Sequence, residues 1–196
     1  IIHDDGHTNV ITADGLLRDS ELQKLSSNDG FKYDNFDFIL TNPPFGSSVK
    51  QNEKAYLETY NFGQRDTSWL DLKNSGVKNR GSQSTEVLFI EQCYQFLKPY
   101  GYLAIVLPDG VLTNSSLQYV RNQIEEWYRI IAVISLPSTA FSATGAGVKS
   151  SVLFLRKYPK TYSKKLLEQK LALQTAAIKE QDYIKKIKGI EKARKH

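Results

Sequence analysis

The chain has 196 residues, of which 40% are hydrophobic and 24% charged, a composition that predicts one domain with a sizeable core plus an appendage. It contains no apolar run of the roughly 20 residues that span a bilayer and no signal-peptide pattern, so we expect a soluble protein of the cytoplasm. The single cysteine, Cys93, excludes an intrachain disulfide and, because it lies on an apolar helical face, is predicted to be a core residue.

The net charge of +5 is concentrated at the carboxyl end. Residues 160–196 contain eleven Lys or Arg and four Asp or Glu, so this segment carries +7 and the rest of the chain −2. A basic tail of this kind tracks nucleic-acid phosphates, forms a solvated helix face, or docks on another protein. The chain has no methionine and opens at Ile1-Ile2, so we expect it to be a fragment of a longer protein.

The first half of the chain predicts one clear strand. Residues 10–12 suggest the end of a short strand, but the first thirty residues are weakly patterned. Residues 36–41 predict a buried strand that stops at Asn42-Pro43-Pro44, because proline cannot continue a hydrogen-bonded ladder. Residues 47–82 have no clear period, and a loop of this length in a compact domain is usually functional or disordered.

The second half alternates helices with strands. Apolar side chains recur at helical spacing at Val87, Ile90, Tyr94 and Leu97, and Pro99 with Gly101 follows them as a stop signal. Residues 102–107 predict the next strand. A second helix is marked by Leu117, Val120, Ile124 and Trp127, and residues 130–136 and 151–156 predict two further strands.

This alternation predicts an α/β fold with a largely parallel sheet, whose ligands lie at the carboxyl ends of the strands. Asn42-Pro43-Pro44-Phe45 and Pro108-Asp109-Gly110 each follow a predicted strand, so we expect them to line one crevice. The last two strands are joined by about fourteen residues with no clear helix, which favours antiparallel pairing between them.

The tetrapeptide Asn42-Pro43-Pro44-Phe45 combines groups that can activate an exocyclic amine of a base, whose lone pair is otherwise delocalised into the ring. The side-chain oxygen of Asn42 and the main-chain oxygen of Pro43 are two acceptors. Hydrogen bonds from both N–H groups of the amine to these oxygens would aim its lone pair at a methyl donor. The prolines hold those oxygens rigidly, and Phe45 offers a face on which a flipped base stacks. The alternative interpretation is a turn that merely ends a strand.

Residues 36–46 resemble the catalytic motif of amino-methyltransferases. Three later stretches, beginning at Glu86, Leu97 and Gly145, resemble successive blocks of the type I restriction-modification methylation subunit, in the same order. The resemblance covers residues 11–158. It implies a doubly wound, Rossmann-like α/β core that transfers a methyl group from S-adenosylmethionine to adenine N6 in DNA. Asn-Pro-Pro-aromatic also occurs in RNA and protein-glutamine methyltransferases, which therefore remain alternatives.

The resemblance also implies roles for individual residues. Asn42, Pro43, Pro44 and Phe45 fall on the catalytic tetrad. Asp14 resembles the acidic residue that meets the cofactor's adenine ring, although a surface turn at Asp14-Gly15 is an equal alternative. Glu86 lies where the family's helix borders the cofactor pocket, but a glutamate at a helix N-terminus needs no function. Phe141 is a candidate second stacking surface for the base, with a core phenylalanine as the alternative.

One motif that the resemblance implies is missing from the sequence, and two apparent motifs do not match a binding site. The family's glycine-rich cofactor loop and its acidic ribose ligand would both lie upstream of Ile1, so we expect an amino-terminally incomplete core. Gly145-Ala-Gly147 lies between the last two strands and matches neither a dinucleotide loop nor a P-loop. His3 and His7 have no further metal ligands close by, and no metal is predicted.

We therefore expect residues 1–160 to form the catalytic portion of a methyltransferase domain and residues 161–196 a basic helical arm. From residue 163 onward the apolar spacing is helical, with one stripe at Leu166, Leu173, Ala177 and Ile184 and, beside it, Leu167, Leu171 and Ile178. The resemblance implies double-stranded DNA and the specificity and restriction subunits of a type I system as partners, with the arm docking on the specificity subunit. The alternatives are an arm that folds back on its own domain and a non-catalytic fragment for assembly or DNA clamping.

Overall fold

The structure, a computed structural model, describes residues 10–26, 28–50, 55–65, 78–141 and 147–193. The helices are α1 (Asp19–Leu25), α2 (Thr85–Phe96), α3 (Asp109–Thr113), α4 (Gln118–Trp127), α5 (Lys160–Glu180) and α6 (Tyr183–Ala193). The strands are β1 (Phe36–Thr41), β2 (Ser48–Lys50), β3 (Gln64–Arg65), β4 (Lys78–Asn79), β5 (Ser82–Ser84), β6 (Leu97–Pro108), β7 (Tyr128–Ser135) and β8 (Ser150–Lys157). Single 3-10 turns occur at Ala55–Thr59, Asn61–Gly63 and Ser115–Leu117.

The central sheet has the strand order β1-β6-β8-β7. β1 and β6 are parallel, whereas β8 runs antiparallel to both of its neighbours. The predicted antiparallel pairing of the last two strands is confirmed, with Tyr128 opposite Lys157 and Ser135 opposite Ser151. The sheet is mixed rather than largely parallel, because the last strand returns through the middle and separates β6 from β7.

The predicted short strand end at residues 10–12 is wrong, since these residues pair with no strand. The prediction for residues 47–82 was incomplete. Part of this stretch forms short strands and 3-10 turns, and it places Leu57, Tyr60 and Phe62 in the core. These 3-10 turns are too short to produce a recognisable hydrophobic period in the sequence. Trp69, His3 and His7 lie outside the described residues.

The core lies between one face of the sheet and the helices α2 and α4. α2 is buried on nearly all sides, as its residues Val87, Leu88, Ile90 and Cys93 show, and the predicted core position of Cys93 is confirmed. The sheet contributes Leu103, Ile105, Leu107, Leu153 and Leu155. Alternate residues of a strand point to opposite faces, so this set defines a single covered face.

The opposite face of the sheet is apolar and exposed. Phe38 and Leu40 of β1 are 69% and 82% exposed, and the same face carries the exposed side chains of Tyr102, Ile134 and Phe154. A doubly wound fold has helices on both faces; among the residues that the structure describes, helices cover one face only. No described strand pairs with the outer edge of β1 either. The chain thus presents an open apolar sheet surface.

The carboxyl-terminal segment is helical but not continuous. α5 ends at Glu180, and Asp182, with a φ of 50°, separates it from α6. The predicted stripe does not lie on one buried face, because Leu173 is 72% exposed while Leu166 and Ala177 are half-buried. Within the described ranges, no helix is both long enough and apolar enough to cross a bilayer.

A buried lysine joins three distant parts of the fold. The side chain of Lys157, at the end of β8, is fully buried, and its Nζ donates to Asp34 Oδ1 at 2.6 Å and to the carbonyl oxygens of Tyr94 and Leu97 at 2.7 and 2.6 Å. The Tyr94 carbonyl belongs to the last turn of α2, where helical carbonyls lack intrahelical partners, and Leu97 directly follows this helix as the first residue of β6. Asp34 precedes β1, so one ammonium group fixes β1, α2 and β8 together.

We predict that Lys157→Met lowers the free energy of unfolding by about 3 kcal/mol, because it leaves the α2 carbonyls and Asp34 without their buried donor. Urea denaturation at pH 7 measures this change. Lys160→Met is the matched control, since Lys160 contacts the same carboxylate at 2.8 Å from an exposed position and should cost less than about 1 kcal/mol. Equal losses in the two variants would contradict the proposed role of burial.

The same cluster predicts a pH dependence. Burial raises the pKa of Asp34, but hydrogen bonds from Lys157 and Lys160 outweigh it, so the net pKa is lowered. A carboxyl group whose pKa is lower in the folded state stabilises the fold at pH values above its unfolded-state pKa of about 3.9. This stabilisation is lost as the pH falls below that value toward the folded-state pKa. The stability advantage of the unaltered protein over Asp34→Asn should therefore be constant near neutral pH and shrink in acid, as urea titrations across pH 2.5 to 7 would measure. An advantage that grows in acid would have the wrong sign.

Candidate active site at the carboxyl ends of two parallel strands

The two predicted strand-end motifs lie at the same edge of the sheet. β1 ends at Thr41, opposite Ile105 of β6, and Asn42 follows directly. β6 continues three residues further to Pro108, and Asp109 begins α3. Because the two strands are parallel, both motifs border the crevice outside their carboxyl ends, where α/β sheets bind ligands.

The oxygens of Asn42 and Pro43 are available as acceptors. Asn42 is exposed and Pro43 is buried. Among the described residues, no hydrogen bond occupies either the Asn42 side chain or the Pro43 carbonyl. A short rigid segment therefore carries two adjacent acceptors that no described donor occupies, as activation of an amine requires.

The loop that follows the tetrad is tied to the start of α2. Thr85 Oγ1 donates to the carbonyl oxygen of Pro44 at 2.9 Å, and the Thr85 amide donates to the carbonyl of Ser47 at 3.1 Å. Between these anchors the chain turns at Gly46, whose φ of 73° is unfavourable for residues with a Cβ. β2 then pairs with β5, immediately before α2. These contacts fix the conformation of the tetrad through the segment that directly follows it.

Glu86 lies in the first turn of α2 and is 8% exposed. Its neighbour Thr85 donates weakly to Glu86 Oε2, at 3.5 Å. The residue that holds the tetrad loop is thus adjacent in sequence to the predicted cofactor residue. A carboxylate at this position also interacts favourably with the helix dipole, so its burial alone does not assign it a function.

Asp14 lies in a turn that α2 holds in place. Asp14 Oδ1 accepts from the Leu16 amide at 3.0 Å, which closes an Asx-type turn. Gln92 Nε2 donates to the carbonyls of Gly15 and Leu17, and the Tyr60 hydroxyl donates to that of Leu16 at 2.6 Å. Both interpretations of Asp14, as a turn former and as a cofactor residue, are compatible with this geometry.

A cavity of about 360 Å³ connects the Asp14 turn with the tetrad. Gly15, which follows Asp14, and Thr41, which precedes Asn42, both line it. Most of its other walls are apolar or aromatic: Phe31, Phe36, Phe38, Ile39, Leu40, Phe89, Cys93 and Phe96. An aromatic cavity with a carboxylate beside its rim suits a flat heteroaromatic ring with an amino group.

Phe141 lies against Phe45. Their ring centroids are 5.7 Å apart and the ring planes meet at 82°, an edge-to-face arrangement. Phe141 follows β7, and the loop returns to β8 through Lys149, whose carbonyl accepts from the Asp109 amide at 2.9 Å. Ser151 Oγ donates to Asp109 Oδ1 at 2.7 Å. Asp109 thus anchors the return of this loop beside the tetrad.

The sequence interpretation missed the residues that position the site. Thr85, Gln92 and Ser151 act through partners 41, 77 and 42 residues away, so no local pattern reveals them. Glu91 was missed as well. It is buried, and its carboxylate accepts from the amides of Asn61 and Phe62, while burial raises its pKa. A charged or amide residue at a core position of a predicted helix is a signal that could have indicated Glu91 and Gln92.

The mixed sheet, the helices packed on one of its faces and the proline-bounded crevice define an α/β fold with a candidate site at the carboxyl ends of two parallel strands. The family model described as N-6 DNA Methylase matches residues 1–192. The chain belongs to this family.

The chain is similar to two restriction-modification proteins of Escherichia coli. It is 27% identical over 126 residues to the type I restriction enzyme EcoEI methylase subunit, covering 62% of this chain and 21% of that protein. It is 29% identical over 132 residues to the type II restriction enzyme and methyltransferase RM.Eco57I, covering 67% of this chain and 13% of that protein. The chain therefore spans about a fifth or less of the length of these curated relatives.

Two solved structures are similar to this chain in backbone fold over part of the molecule. One is the type I restriction enzyme EcoKI M protein, 23% identical, with a TM-score of 0.41, covering 65% of this chain and 22% of that chain. The other is a Listeria monocytogenes protein assigned to the class I S-adenosylmethionine-dependent methyltransferases, 23% identical, with a TM-score of 0.47, covering 63% of this chain and 32% of that chain.

We predict that Thr85→Val lowers the free energy of unfolding by about 1 kcal/mol and speeds hydrogen exchange at the amides of residues 45–47, because the bond to the Pro44 carbonyl is lost. Thr85→Ser should restore both values. Thr175→Val is the matched control: its hydroxyl donates to Leu171 on an exposed helix, and the change should cost only a few tenths of a kcal/mol. Unchanged exchange in Thr85→Val would contradict the anchoring role.

Proposed function

We propose that this chain carries the catalytic portion of a DNA adenine-N6 methyltransferase that serves as the modification subunit of a type I restriction-modification system. The observation that carries the proposal is the rigid pair of acceptors at Asn42 and Pro43, which no described donor occupies, beside the edge-to-face rings of Phe45 and Phe141. Residues 1–160 are the catalytic portion and residues 161–196 the arm. Family membership supports the reaction class, and the type I relative supports the system.

In the proposed reaction a flipped adenine lies against Phe45, with Phe141 on another side of the ring. Asn42 Oδ1 and the Pro43 carbonyl oxygen accept hydrogen bonds from the two N6–H groups, which turns the nitrogen lone pair toward the methyl donor. Bound S-adenosylmethionine, beside Asp14 and Glu86, would supply the methyl carbon of the new N–C bond, and its sulfur would keep the electron pair of the broken S–C bond. The methylated nitrogen then loses one proton, and no strong base is required beforehand because methylation itself acidifies the amine.

S-adenosylmethionine supplies the electrophilic methyl group when bound. Asp14 and Glu86 are the proposed cofactor residues, Asp14 toward the adenine amino group and Glu86 at the border of the pocket. The aromatic cavity beside the Asp14 turn fits a flat ring, and the buried setting of Glu86 limits competition from water.

We predict that Asn42→Ala, in the protein expressed from its complete gene, reduces adenine methylation by about 10²-fold or more, because a transition-state acceptor is lost. The measurement is transfer of labelled methyl groups to DNA. Folding and cofactor affinity should be nearly unchanged, since the exposed Asn42 side chain makes no hydrogen bond to a described residue. Asn122→Ala on the exposed side of α4 is the matched control and should retain full activity.

The same assay separates the alternative functions. Methylated adenine in DNA supports the proposal, whereas label in ribosomal RNA or on protein glutamine would assign the chain to another substrate class. Absence of transfer to any of these by the complete gene product would leave a non-catalytic assembly or DNA-clamping role. Near-normal methylation by Asn42→Ala would overturn the assignment of the tetrad.

The proposed partner of the arm is the specificity subunit. Leu167, Leu171 and Leu173 of α5 are exposed at the two borders of the half-buried side of the helix, which carries the Lys170–Glu126 ion pair with α4. The arm therefore folds partly onto its own domain and still leaves exposed leucines beside that contact. Exposed leucines at helical spacing suit a helix-on-helix interface better than a phosphate-binding surface.

We predict that Leu171→Asp combined with Leu173→Asp abolishes capture of the co-expressed specificity subunit without destabilising the domain, because both side chains are exposed. Pull-down and thermal unfolding measure the two effects. Lys164→Asp with Lys165→Asp is the control on the same helix and should retain capture. Capture that survives the leucine changes, together with weaker and more salt-sensitive DNA binding by the lysine variant, would make the arm a nucleic-acid element instead.

A further inference from the structure

Two arginines face each other at the end of the sheet remote from the tetrad. Arg129 of β7 and Arg156 of β8 are directly opposed in the antiparallel ladder, so their side chains leave the same face. Tyr102 of β6 is the next residue in this row. Tyr102 lies six residues before Pro108, which puts the arginines roughly 20 Å from the strand end that precedes the proposed reaction site.

The charge of this arginine pair is not neutralised within the part of the chain that the structure describes. Like charges directly opposite each other destabilise a strand pair, and no described carboxylate lies within ion-pair distance of either arginine. The ammonium group of Lys157, the next residue of β8, is buried on the other side of the strand and is already bound to Asp34 at 2.6 Å. The two guanidinium groups therefore have no counter-ion among the described residues, and an anion is the missing complement.

The arginines line a cavity of about 280 Å³ together with Tyr100, Lys157, Tyr158, Pro159 and Tyr162. Arg156 is held in place: its Nε donates to the Tyr100 carbonyl at 3.3 Å, and its guanidinium lies 5.1 and 5.4 Å from the Tyr100 and Tyr102 ring centroids. This arrangement leaves its terminal N–H groups free to bind. A positioned guanidinium loses little entropy on binding an oxyanion.

The first turn of α5 forms another wall of the cavity. Pro159 precedes the helix and no side chain caps it, so its positive end contributes to the same field. A carboxylate has one charge and is satisfied by a single guanidinium fork. A phosphate group carries about −1.5 to −2 charges and three acceptor oxygens, which matches two forks and a helix terminus.

We propose that this cavity, the Arg129–Arg156 site, binds a phosphate group. Its volume lies just below the range of roughly 300 to 1,000 Å³ that holds drug-sized ligands, so it admits a phosphate with a small substituent rather than a whole cofactor. Free phosphate compounds and the DNA backbone share the oxyanion that a guanidinium fork binds, but a backbone phosphate is a diester with one charge and two free oxygens. The site is separate from the proposed methyl-transfer site and does not depend on it.

The test is an NMR titration of the full chain with inorganic phosphate, and in a second arm with a twelve-base-pair DNA duplex. We expect amide shifts confined to Arg129, Arg156 and residues 158–162, with affinity at least tenfold weaker for Arg129→Gln. Arg129→Lys, which keeps the charge but loses the fork, should fall between. Lys179→Gln removes one positive charge at the far end of α5, about 28 Å along the helix from Lys160, and should leave affinity unchanged.

Shifts at these residues in both arms support a site for backbone phosphate, and shifts with inorganic phosphate alone support a site for a small phosphate compound. If Lys179→Gln weakens binding as much as Arg129→Gln, or if shifts follow the lysines of α5 generally, the effect is nonspecific screening and the proposal is wrong. Absence of shifts at 50 mM phosphate would equally overturn it. Circular dichroism of each variant checks that the fold is retained.

Discussion

The buried ammonium group of Lys157 is the interaction on which the rest of the structure depends. It donates all three of its protons, one to the segment that leads into β1 and two to the carboxyl end of α2. Burial lowers the pKa of Lys157, and the hydrogen bond to Asp34 and its negative charge oppose this shift. The amides of Asp34 and Asn35 also donate to carbonyls of α2, which adds to the same helix cap.

α2 transmits this constraint to the candidate site. Its carboxyl end is fixed by Lys157, its middle holds the Asp14 turn through Gln92, and its first residue, Thr85, holds the tetrad loop. Polar side chains buried along a helix are costly unless every one of them is satisfied, and here they are bonded to loops that carry proposed site residues. The helix therefore acts as a common support for chain segments that are far apart in sequence.

The elements that the sequence predicted well are those with a local signal. The limits of β1 were predicted to the residue because Asn42-Pro43-Pro44 ends the strand chemically, and α2 and α4 follow from apolar spacing. The position of Asn42-Pro43-Pro44-Phe45 directly after β1 was predicted as well, whereas its catalytic role stays a prediction. The position of β8 between β6 and β7 was not predictable, since pairing order depends on contacts that periodicity does not encode. The break at Asp182 was likewise hidden, because residues on either side keep helical spacing.

The positioning residues were beyond prediction for the same reason. Lys157 and Asp34 are 123 residues apart, and in sequence Lys157 resembles an ordinary polar residue at a strand end. The exposed face of the sheet was also unexpected, because Phe38 and Leu40 have the composition of a fully buried strand. A pattern shows which side chains favour burial, but it does not show whether a second layer is present to bury them.

The central position of β8 has a consequence for biosynthesis. β8 is the last strand of the sheet to leave the ribosome, yet β6 and β7 contact each other only through it. A nascent chain that has emerged only as far as β7 exposes unpaired edges on two apolar strands, and it also lacks the Lys157 ammonium that fixes α2. Folding of this domain on the ribosome must therefore wait for its final strand, and chaperones that bind extended apolar segments would find β6 and β7 accessible throughout that interval.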